Sequence, residues 1–389
     1  MKFEHYIPTK VLFGSGMLNE LHKEVMPGKK ALIVISEGKS MRKNGYLSRV
    51  EEQLKLAGVE VLVYDKVQPN PTKDNVMEGA ELGKKNGCDF VVGLGGGSSI
   101  DASKAIAAMI VNPGDYWDYV SGGSAKGKPF VNPPLPIVSV VTTAGTGTEA
   151  DPWTVVTKEE TNEKIGFGGS FGFPVISVVD PELMISVPKM LTAFQGFDAL
   201  YHSAEGYIHN AVTPLSDIYC EKSVELLGQY LSDAVEDGNN LVARENVALA
   251  STIAGFVQST SGCVSEHALA HAISALHTNV PHGAALIMVS KAYFTFFAEN
   301  HACDYRMVKL AKLLGKNDAT VAMDFVDALV DLQKKCGVAD LKMSEYGIKK
   351  NEFAELAKNA RETMGGMFGW DRIQLKDEDI IKIFESSYK

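Results

Sequence analysis

The first half of the chain alternates short apolar runs with stretches in which apolar positions recur at helical spacing. The apolar runs are rich in Val and Ile, are bounded by turn residues, and fall at residues 31–36, 59–65, 89–95, 136–143 and 175–180. Between them lie helix-patterned segments such as NGYLSRVEEQLKLAG, DNVMEGAELGKKNG and SIDASKAIAAMIV. Nearly all-apolar strands that alternate with helices are typical of a parallel sheet covered on both faces, so the pattern predicts an α/β domain.

The pattern changes near the middle of the chain. A β-hairpin is predicted at residues 154–169, with its turn around Glu159–Asn162. From Pro188 onward, long helical stretches follow one another with almost no alternation typical of strands. A chain of 389 residues exceeds what one hydrophobic core usually organises. We therefore predict two domains, an α/β domain at residues 1–185 and an all-helical domain at residues 186–389.

Composition excludes several classes of protein. The formal net charge of −10, with no local cluster of Lys or Arg, argues against a nucleic-acid partner. No apolar run approaches the roughly 18 residues of a membrane span, and the N-terminus carries charge and Pro where a signal peptide needs an apolar core. The five Cys are scattered and odd in number, so a disulfide framework is not expected. These features predict a soluble cytoplasmic enzyme.

Two pairs of metal-type ligands at helical spacing are the main chemical feature. Asp198 and His202 form the first pair, His267 and His271 the second, and His282 follows in the sequence VPHG. Residues four apart on a helix lie on the same face, so each segment can direct its pair at one point. A carboxylate with two or three imidazoles suits Fe(II) or Zn(II).

A cysteine lies close to the second pair of ligands in sequence. Cys263 precedes His267 by four residues and could compete as a soft ligand. The plainer interpretation is a buried and inert thiol.

Two loops of small residues follow predicted strands. GLGGGSSIDASK (93–104) opens a helix, where glycines let backbone N–H groups approach an anion. It is not the GxGxxG fingerprint, because a Ser occupies the position of the last Gly. TTAGTGTEAD (142–151) follows the next strand, and ligands of open α/β sheets bind beyond the carboxyl ends of the strands. Together the loops predict a pyrophosphate-binding site.

These motifs together resemble one family. FDALYHS, EHALAHAISALH…PHG, GLGGGSSID, TTAGTGTE, the opening YIPTKVLFGSG and the turn VQPNPT resemble the iron-containing (group III) alcohol dehydrogenases, in the same order and from Tyr6 to about Asp371. The C-terminal GGMFGWDRIQLKDEDI is most similar to butanol-dehydrogenase-type members and related aldehyde reductases.

The resemblance implies a Rossmann-like dinucleotide-binding domain, a helical metal-binding domain and a metal in the cleft between them. It implies that the Fe²⁺ or Zn²⁺ ligands are Asp198, His202, His267 and His282, and that His271 lies beside the nicotinamide. The stretch between His271 and His282 carries an extra residue compared with many members, which leaves His277 as an alternative to His282. The implied cofactor-binding residues are Gly95, Gly96, Gly97, Ser98, Asp101, Thr142, Thr143, Thr146, Asn70 and Lys164.

The end of the first long strand bears on cofactor choice. Many family members carry an Asp there, which would accept hydrogen bonds from the adenosine ribose and favour NAD(H). Ser36 takes that place here, and Lys39 and Ser40 could offer charge and a hydroxyl to a 2′-phosphate. Glu37 favours NAD(H) instead. The residues therefore favour NADP(H) slightly over NAD(H).

The predicted reaction is hydride transfer between NAD(P)H and a short-chain aldehyde or primary alcohol. The ion would polarise the substrate oxygen, and His271 would relay the proton or, alternatively, orient a ligand. A glycerol-dehydrogenase-like polyol oxidoreductase and a dehydroquinate-synthase-like lyase are the alternative enzymes. The lyase is disfavoured because no Lys or Arg lies near the metal pairs in sequence. A non-catalytic metal-binding protein would not need two phosphate loops, and the family resemblance implies a homodimer or larger homo-oligomer.

Overall fold

A six-stranded parallel sheet organises the first half of the molecule. The computed structural model describes residues 2–389, and the strands of this sheet are β1 (Lys10–Phe13), β2 (Lys30–Ser36), β3 (Glu60–Val67), β4 (Phe90–Gly95), β5 (Ile137–Val141) and β8 (Ile176–Val179). The central strands are buried on both faces and almost entirely apolar, as the runs rich in Val and Ile predict, with Ser139 of β5 as a buried polar exception. Side chains from four strands, Ile33, Val92, Val138 and Val178, form one core cluster with Leu47 and Val50.

The strand order is β1-β8-β5-β4-β2-β3. From β2 the chain first moves outward to β3 and then returns to form β4 on the other side of β2, so the order reverses between β2 and β4. Ligands of open α/β sheets bind beyond the carboxyl ends of the strands at such a reversal. The glycine loop after β4 and the threonine loop after β5 lie at this edge, and Thr142 N donates to Gly95 O over 2.9 Å.

The five strands expected of the parallel sheet are present, and the structure adds one. β1 pairs in parallel with β8 but is only four residues long and has a mixed burial pattern, so no apolar run marks it in the sequence. The expected hairpin is also present as the antiparallel pair β6 (Trp153–Lys158) and β7 (Glu163–Gly168), with a short helical turn at Glu159–Thr161.

Helices cover the sheet and make up the second half of the chain. The first half contains α1 (Ser40–Lys43), α2 (Tyr46–Leu56), α3 (Lys73–Lys85) and α4 (Gly97–Val111). The second half contains α5 (Lys189–Ile208), α6 (Pro214–Glu236), α7 (Leu241–Gln258), α8 (Ser265–Leu276), α9 (His282–Glu299), α10 (Asp304–Leu313), α11 (Met323–Lys335), α12 (Phe353–Met364) and α13 (Asp377–Ser387). No strand occurs in residues 187–389, so the predicted architecture of a parallel-sheet half and an all-helical half is confirmed.

The described residues fall into two compact units. Residues 7–186 form the α/β unit, and residues 187–389 form the helical unit together with residues 2–6. The division lies one residue from the boundary expected at 185/186, but the N-terminal segment groups with the helices and not with the sheet. His5 of this segment stacks on Tyr219 of α6 with ring centroids 5.9 Å apart. None of the helices in residues 2–389 has the length and apolar character needed to cross a bilayer.

Candidate metal centre and cofactor loops

A central helix supplies the first pair of candidate ligands. α5 is buried almost without interruption from Thr192 to Ile208, so its polar side chains face the interior of the helical unit. Asp198 and His202 are 4% and 5% exposed, and His202 Nε2 lies 3.7 Å from Asp198 Oδ1. The helical spacing thus produces the shared face that was predicted.

Two further helices bring imidazoles to the same carboxylate oxygen. His267 Nε2 of α8 lies 3.5 Å from Asp198 Oδ1, and His282 Nε2 of α9 lies 3.6 Å from it. His267 is 3% exposed, and its Nε2 is buried with no hydrogen-bond partner within residues 2–389. One carboxylate and three imidazoles around one point fit Fe(II) or Zn(II), because both ions accept mixed N/O ligands at buried sites.

Glycine in the Pro-His-Gly sequence explains how His282 reaches the centre. Pro281 precedes α9 and His282 is its first residue. A Cβ on Gly283 would lie 2.1 Å from the backbone oxygen of Phe194 in α5, closer than any side chain can approach. Only glycine therefore lets α9 begin against α5, where Asp198 resides.

Glu205 is a site residue that the sequence analysis missed. One of its carboxylate oxygens accepts from Val264 N over 2.9 Å, and the other is paired with His267 Nδ1. A carboxylate at Nδ1 fixes the tautomer of the imidazole and directs the Nε2 lone pair toward Asp198. Glu205 lies seven residues after Asp198 on the same helical face, and this spacing was the available signal.

The structure distinguishes two further histidines of this region, His271 and His277, from the candidate metal ligands. The His271 ring lies 5.1 Å from the His282 ring in an edge-on arrangement and is 5% exposed, yet His271 belongs to neither cluster of metal-type donors. His277 Nε2 lies 3.0 Å from Glu352 Oε2, so this side chain is paired elsewhere. Geometry thus brings His282 rather than His277 to Asp198.

Cys263 also lies at the centre. The donor atoms of His202, Cys263 and His267 all lie within 4.8 Å of one another, as do those of Asp198, His267 and His282. The rings of His202 and His267 stack with centroids 4.4 Å apart. Burial raises the pKa of the Cys263 thiol to about 11.

In the α/β unit, the glycine and threonine loops pack directly on one another. A Cβ on Gly96 would lie 3.0 Å from the Thr143 side chain, and one on Gly97 would lie 2.6 Å from Thr146 Cγ2. Gly96 is the N-cap of α4, and no side chain caps this helix. Backbone N–H groups at an uncapped N-terminus attract anions, so the cradle fits a pyrophosphate.

Three of the predicted cofactor residues are joined by hydrogen bonds. Asn70 has a positive φ of 57°, its backbone N donates to Ser98 Oγ over 3.3 Å, and its Oδ1 accepts from Lys164 Nζ over 2.9 Å. Lys164 comes from β7, so the hairpin is tied to the glycine loop.

Asp101 faces the interior of the α/β unit. Its carboxylate accepts from Thr148 Oγ1 over 2.6 Å and from Val155 N over 2.9 Å, so both oxygens hold neighbouring segments. Lys104, which the sequence analysis did not single out, is 1% exposed and donates to Thr148, to Asp151 and to Trp153 O. Together these residues anchor the start of the hairpin and the end of the threonine loop to α4.

The residues predicted to set cofactor choice lie at the end of β2. Ser36 is its last residue, and Lys39 and Ser40 are exposed at the start of the four-residue α1. Glu37 is exposed beside them, and its backbone N donates to Val67 O.

Comparison with known proteins identifies the family. A model of "Iron-containing alcohol dehydrogenase" matches residues 8–181, and one of "Fe-containing alcohol dehydrogenase family, C-terminal" matches residues 192–388. The chain belongs to the iron-containing alcohol dehydrogenase family. It is therefore an alcohol dehydrogenase, and the lyase alternative is not favoured.

Individual relatives of this iron-containing alcohol dehydrogenase cover nearly its whole length. Alcohol dehydrogenase 4 of Schizosaccharomyces pombe is 34% identical, with 98% of this chain and 88% of that protein aligned. Probable NADH-dependent butanol dehydrogenase 2 of Bacillus subtilis is 31% identical, with 99% of each chain aligned. The crystal structure of an archaeal halo-thermophilic Red Sea brine pool alcohol dehydrogenase superposes with a TM-score of 0.94 at 34% identity, over 100% of this chain and 99% of that one.

Proposed function

We propose that the protein is an NAD(P)-dependent, metal-containing alcohol dehydrogenase that interconverts short-chain aldehydes and primary alcohols. The observation that carries the proposal is the convergence of three imidazole nitrogens to 3.5–3.7 Å from Asp198 Oδ1. A buried carboxylate surrounded by imidazoles is costly without a cation, because each polar group gives up water. The family and the butanol-dehydrogenase relative support the substrate class.

The metal ligands in this proposal are Asp198, His202, His267 and His282. A divalent ion held there supplies Lewis acidity toward the substrate oxygen. Glu205 keeps His267 in the tautomer that has its Nε2 lone pair available, and the α5–α9 contact at Gly283 holds His282 in register.

The nicotinamide cofactor, which carries the hydride, is assigned to the loops of the α/β unit. The residues proposed to bind it are Asn70, Gly95, Gly96, Gly97, Ser98, Thr142, Thr143, Thr146 and Lys164. Backbone N–H groups at the start of α4 would hold the pyrophosphate, and Thr143 and Thr146 would cover it. Asp101 is assigned a positioning role, because both of its carboxylate oxygens accept hydrogen bonds from neighbouring segments.

His271 is the proposed proton relay. It is not needed for either donor cluster, it packs against His282, and an imidazole titrates near neutral pH. In aldehyde reduction it would deliver a proton to the nascent alcohol oxygen, and in oxidation it would remove one.

NADP(H) preference stays a prediction from Ser36, Lys39 and Ser40. The relatives do not support it, since the butanol dehydrogenase of B. subtilis is named as NADH-dependent. A homodimer or larger assembly likewise stays a prediction from the family resemblance.

The test of the function uses metal-free protein reconstituted with Fe(II) or Zn(II). Oxidation of NADH and of NADPH is followed with a panel of short aldehydes, including butyraldehyde. We expect metal-dependent turnover with at least one aldehyde. Reconstituted protein that binds the ion and the cofactor yet oxidises neither with any aldehyde would contradict the proposal.

A further inference from the structure

The helical unit holds a second set of metal donors that overlaps the first. Cys263 lies in the segment before α8, and its sulfur falls within 4.8 Å of donor nitrogens of both His202 and His267. His202 and His267 are 5% and 3% exposed, and the Nε2 atom of His267 is buried without a hydrogen-bond partner within residues 2–389. Two buried imidazoles and a thiol at this separation are a common donor set for thiophilic ions.

We propose that His202, Cys263 and His267 form an alternative site that binds thiophilic ions such as Cd(II), and that this site competes with the set containing Asp198 and His282. The proposal rests on the proposed function only in that both sets share His202 and His267. It adds a binding mode, and a route of inhibition, to the same centre.

Ligand chemistry determines which set an ion prefers. A thiolate sulfur is a soft donor that selects soft ions, whereas a carboxylate oxygen suits Fe(II). As the ion binds, the S–H bond of Cys263 breaks, a metal–sulfur bond forms and the proton leaves to solvent. The thiolate also offsets part of the charge of the ion inside a buried site, which the neutral imidazoles do not.

The two sets cannot be filled together. The Nδ1 atom of His267 is paired with Glu205, so only its Nε2 lone pair remains for a metal. One lone pair binds one ion at a time. A thiophilic ion held by Cys263 would therefore exclude the ion that Asp198 and His282 help to bind.

The experiment titrates metal-free protein with Cd(II) under anaerobic conditions and follows the ultraviolet thiolate-to-metal charge-transfer band. Wild type should develop the band as one ion binds per chain. Cys263→Ser and Cys263→Ala should lose it, and their affinity for Cd(II) should fall by about tenfold or more, since one coordinate bond is gone. Cys303→Ser, which changes a half-buried cysteine outside both donor clusters, is the matched control and should keep the full band.

A second variant separates the two sets. His282→Asn removes a ligand of the Asp198 set alone, so it should weaken Fe(II) binding while the Cd(II) band persists. The inference is overturned if wild type binds one Cd(II) per chain without the band, if it binds none, if the Cys263 variants keep the band, or if His282→Asn abolishes it. If the protein shows the Cd(II) band but no Fe(II)-dependent aldehyde reduction, the proposed function is contradicted and the alternative site is still supported.

Discussion

The candidate metal centre and the candidate cofactor loops use different kinds of groups. In the helical unit, three imidazoles from three helices converge on one oxygen of the buried Asp198 carboxylate, and helix packing holds each of them. In the α/β unit, small residues and backbone groups of two loops approach one another, and their spacing is set by glycines. A site of few strong ligands should fail when one is lost, whereas a site of many weak contacts should lose affinity gradually.

Substitution of a metal ligand should have the largest effect. His267→Ala should remove most of the bound metal and lower kcat/KM by about 10³-fold or more, because Lewis-acid stabilisation of several kcal/mol is lost at about tenfold per 1.36 kcal/mol. Metal analysis and steady-state rates measure both effects. His277→Ala, which changes a histidine paired with Glu352, is the control and should retain its metal. Full metal occupancy in the His267 variant would refute the assignment.

Substitution of His271 should impair proton transfer without affecting metal binding. His271→Gln should lower kcat by about 10²-fold, as expected for loss of a general acid–base group, and should leave metal content unchanged. The pH profile of kcat should lose the limb that reports this imidazole. A loss of metal equal to that of the His267 variant would make His271 a ligand.

Substitution of Glu205 tests how strongly metal binding depends on the carboxylate that pairs with His267 Nδ1. Glu205→Gln keeps an acceptor for His267 Nδ1 but removes the charge, and Glu205→Leu removes both. We expect metal affinity to fall by about 10-fold in the first and about 100-fold in the second, because partners of ligating imidazoles have effects of this size. Chelator competition gives the affinities without reference to activity. Equal, unchanged affinities would mean that Glu205 only caps α8.

A substitution in the cofactor loops should have a smaller effect on activity than the loss of a metal ligand. Gly97→Ala places a Cβ 2.6 Å from Thr146 Cγ2, so the Thr146 side chain or the loop that carries it must shift. We expect the KM for the cofactor to rise about tenfold with metal content unchanged, since one contact among many is weakened. Gly366→Ala, where a Cβ meets nothing within 4 Å, is the control. A large loss of kcat with no change in the KM for the cofactor would contradict the view that the loops bind the cofactor through many weak contacts.

Cofactor preference should show the smallest change. Lys39→Ala should lower the NADPH/NADH ratio of kcat/KM by about two- to fivefold, the scale of one exposed charge contact. A wild-type ratio well below one, or a ratio that the substitution does not lower, would remove the case for NADP(H).

The features that the sequence predicted correctly are those that local patterns determine. The strands at 31–36 and 89–95 were predictable because both faces are buried, whereas β1 has only four residues of mixed burial. Spacing of four residues marked Asp198 and His202 on α5 and His267 and His271 on α8, because helix geometry alone places each pair on one face, but it did not show that His271 lies outside the donor clusters.

The features that could not be predicted from the sequence depend on contacts between segments that are distant in the chain. The support from Glu205 involves residues more than fifty positions apart, and the approach of Gly283 to Phe194 joins two helices. Lys104 was missed because a lysine is expected at the surface, while the structure buries it among acceptors.

X-ray absorption of the Fe(II)-loaded protein tests the central claim most directly, because it counts the imidazoles around the ion. The account predicts one ion per chain with three imidazoles and a carboxylate oxygen, and one imidazole fewer in His282→Ala. An ion with fewer than three imidazoles in wild type, or a spectrum that the His282 substitution leaves unchanged, would contradict it.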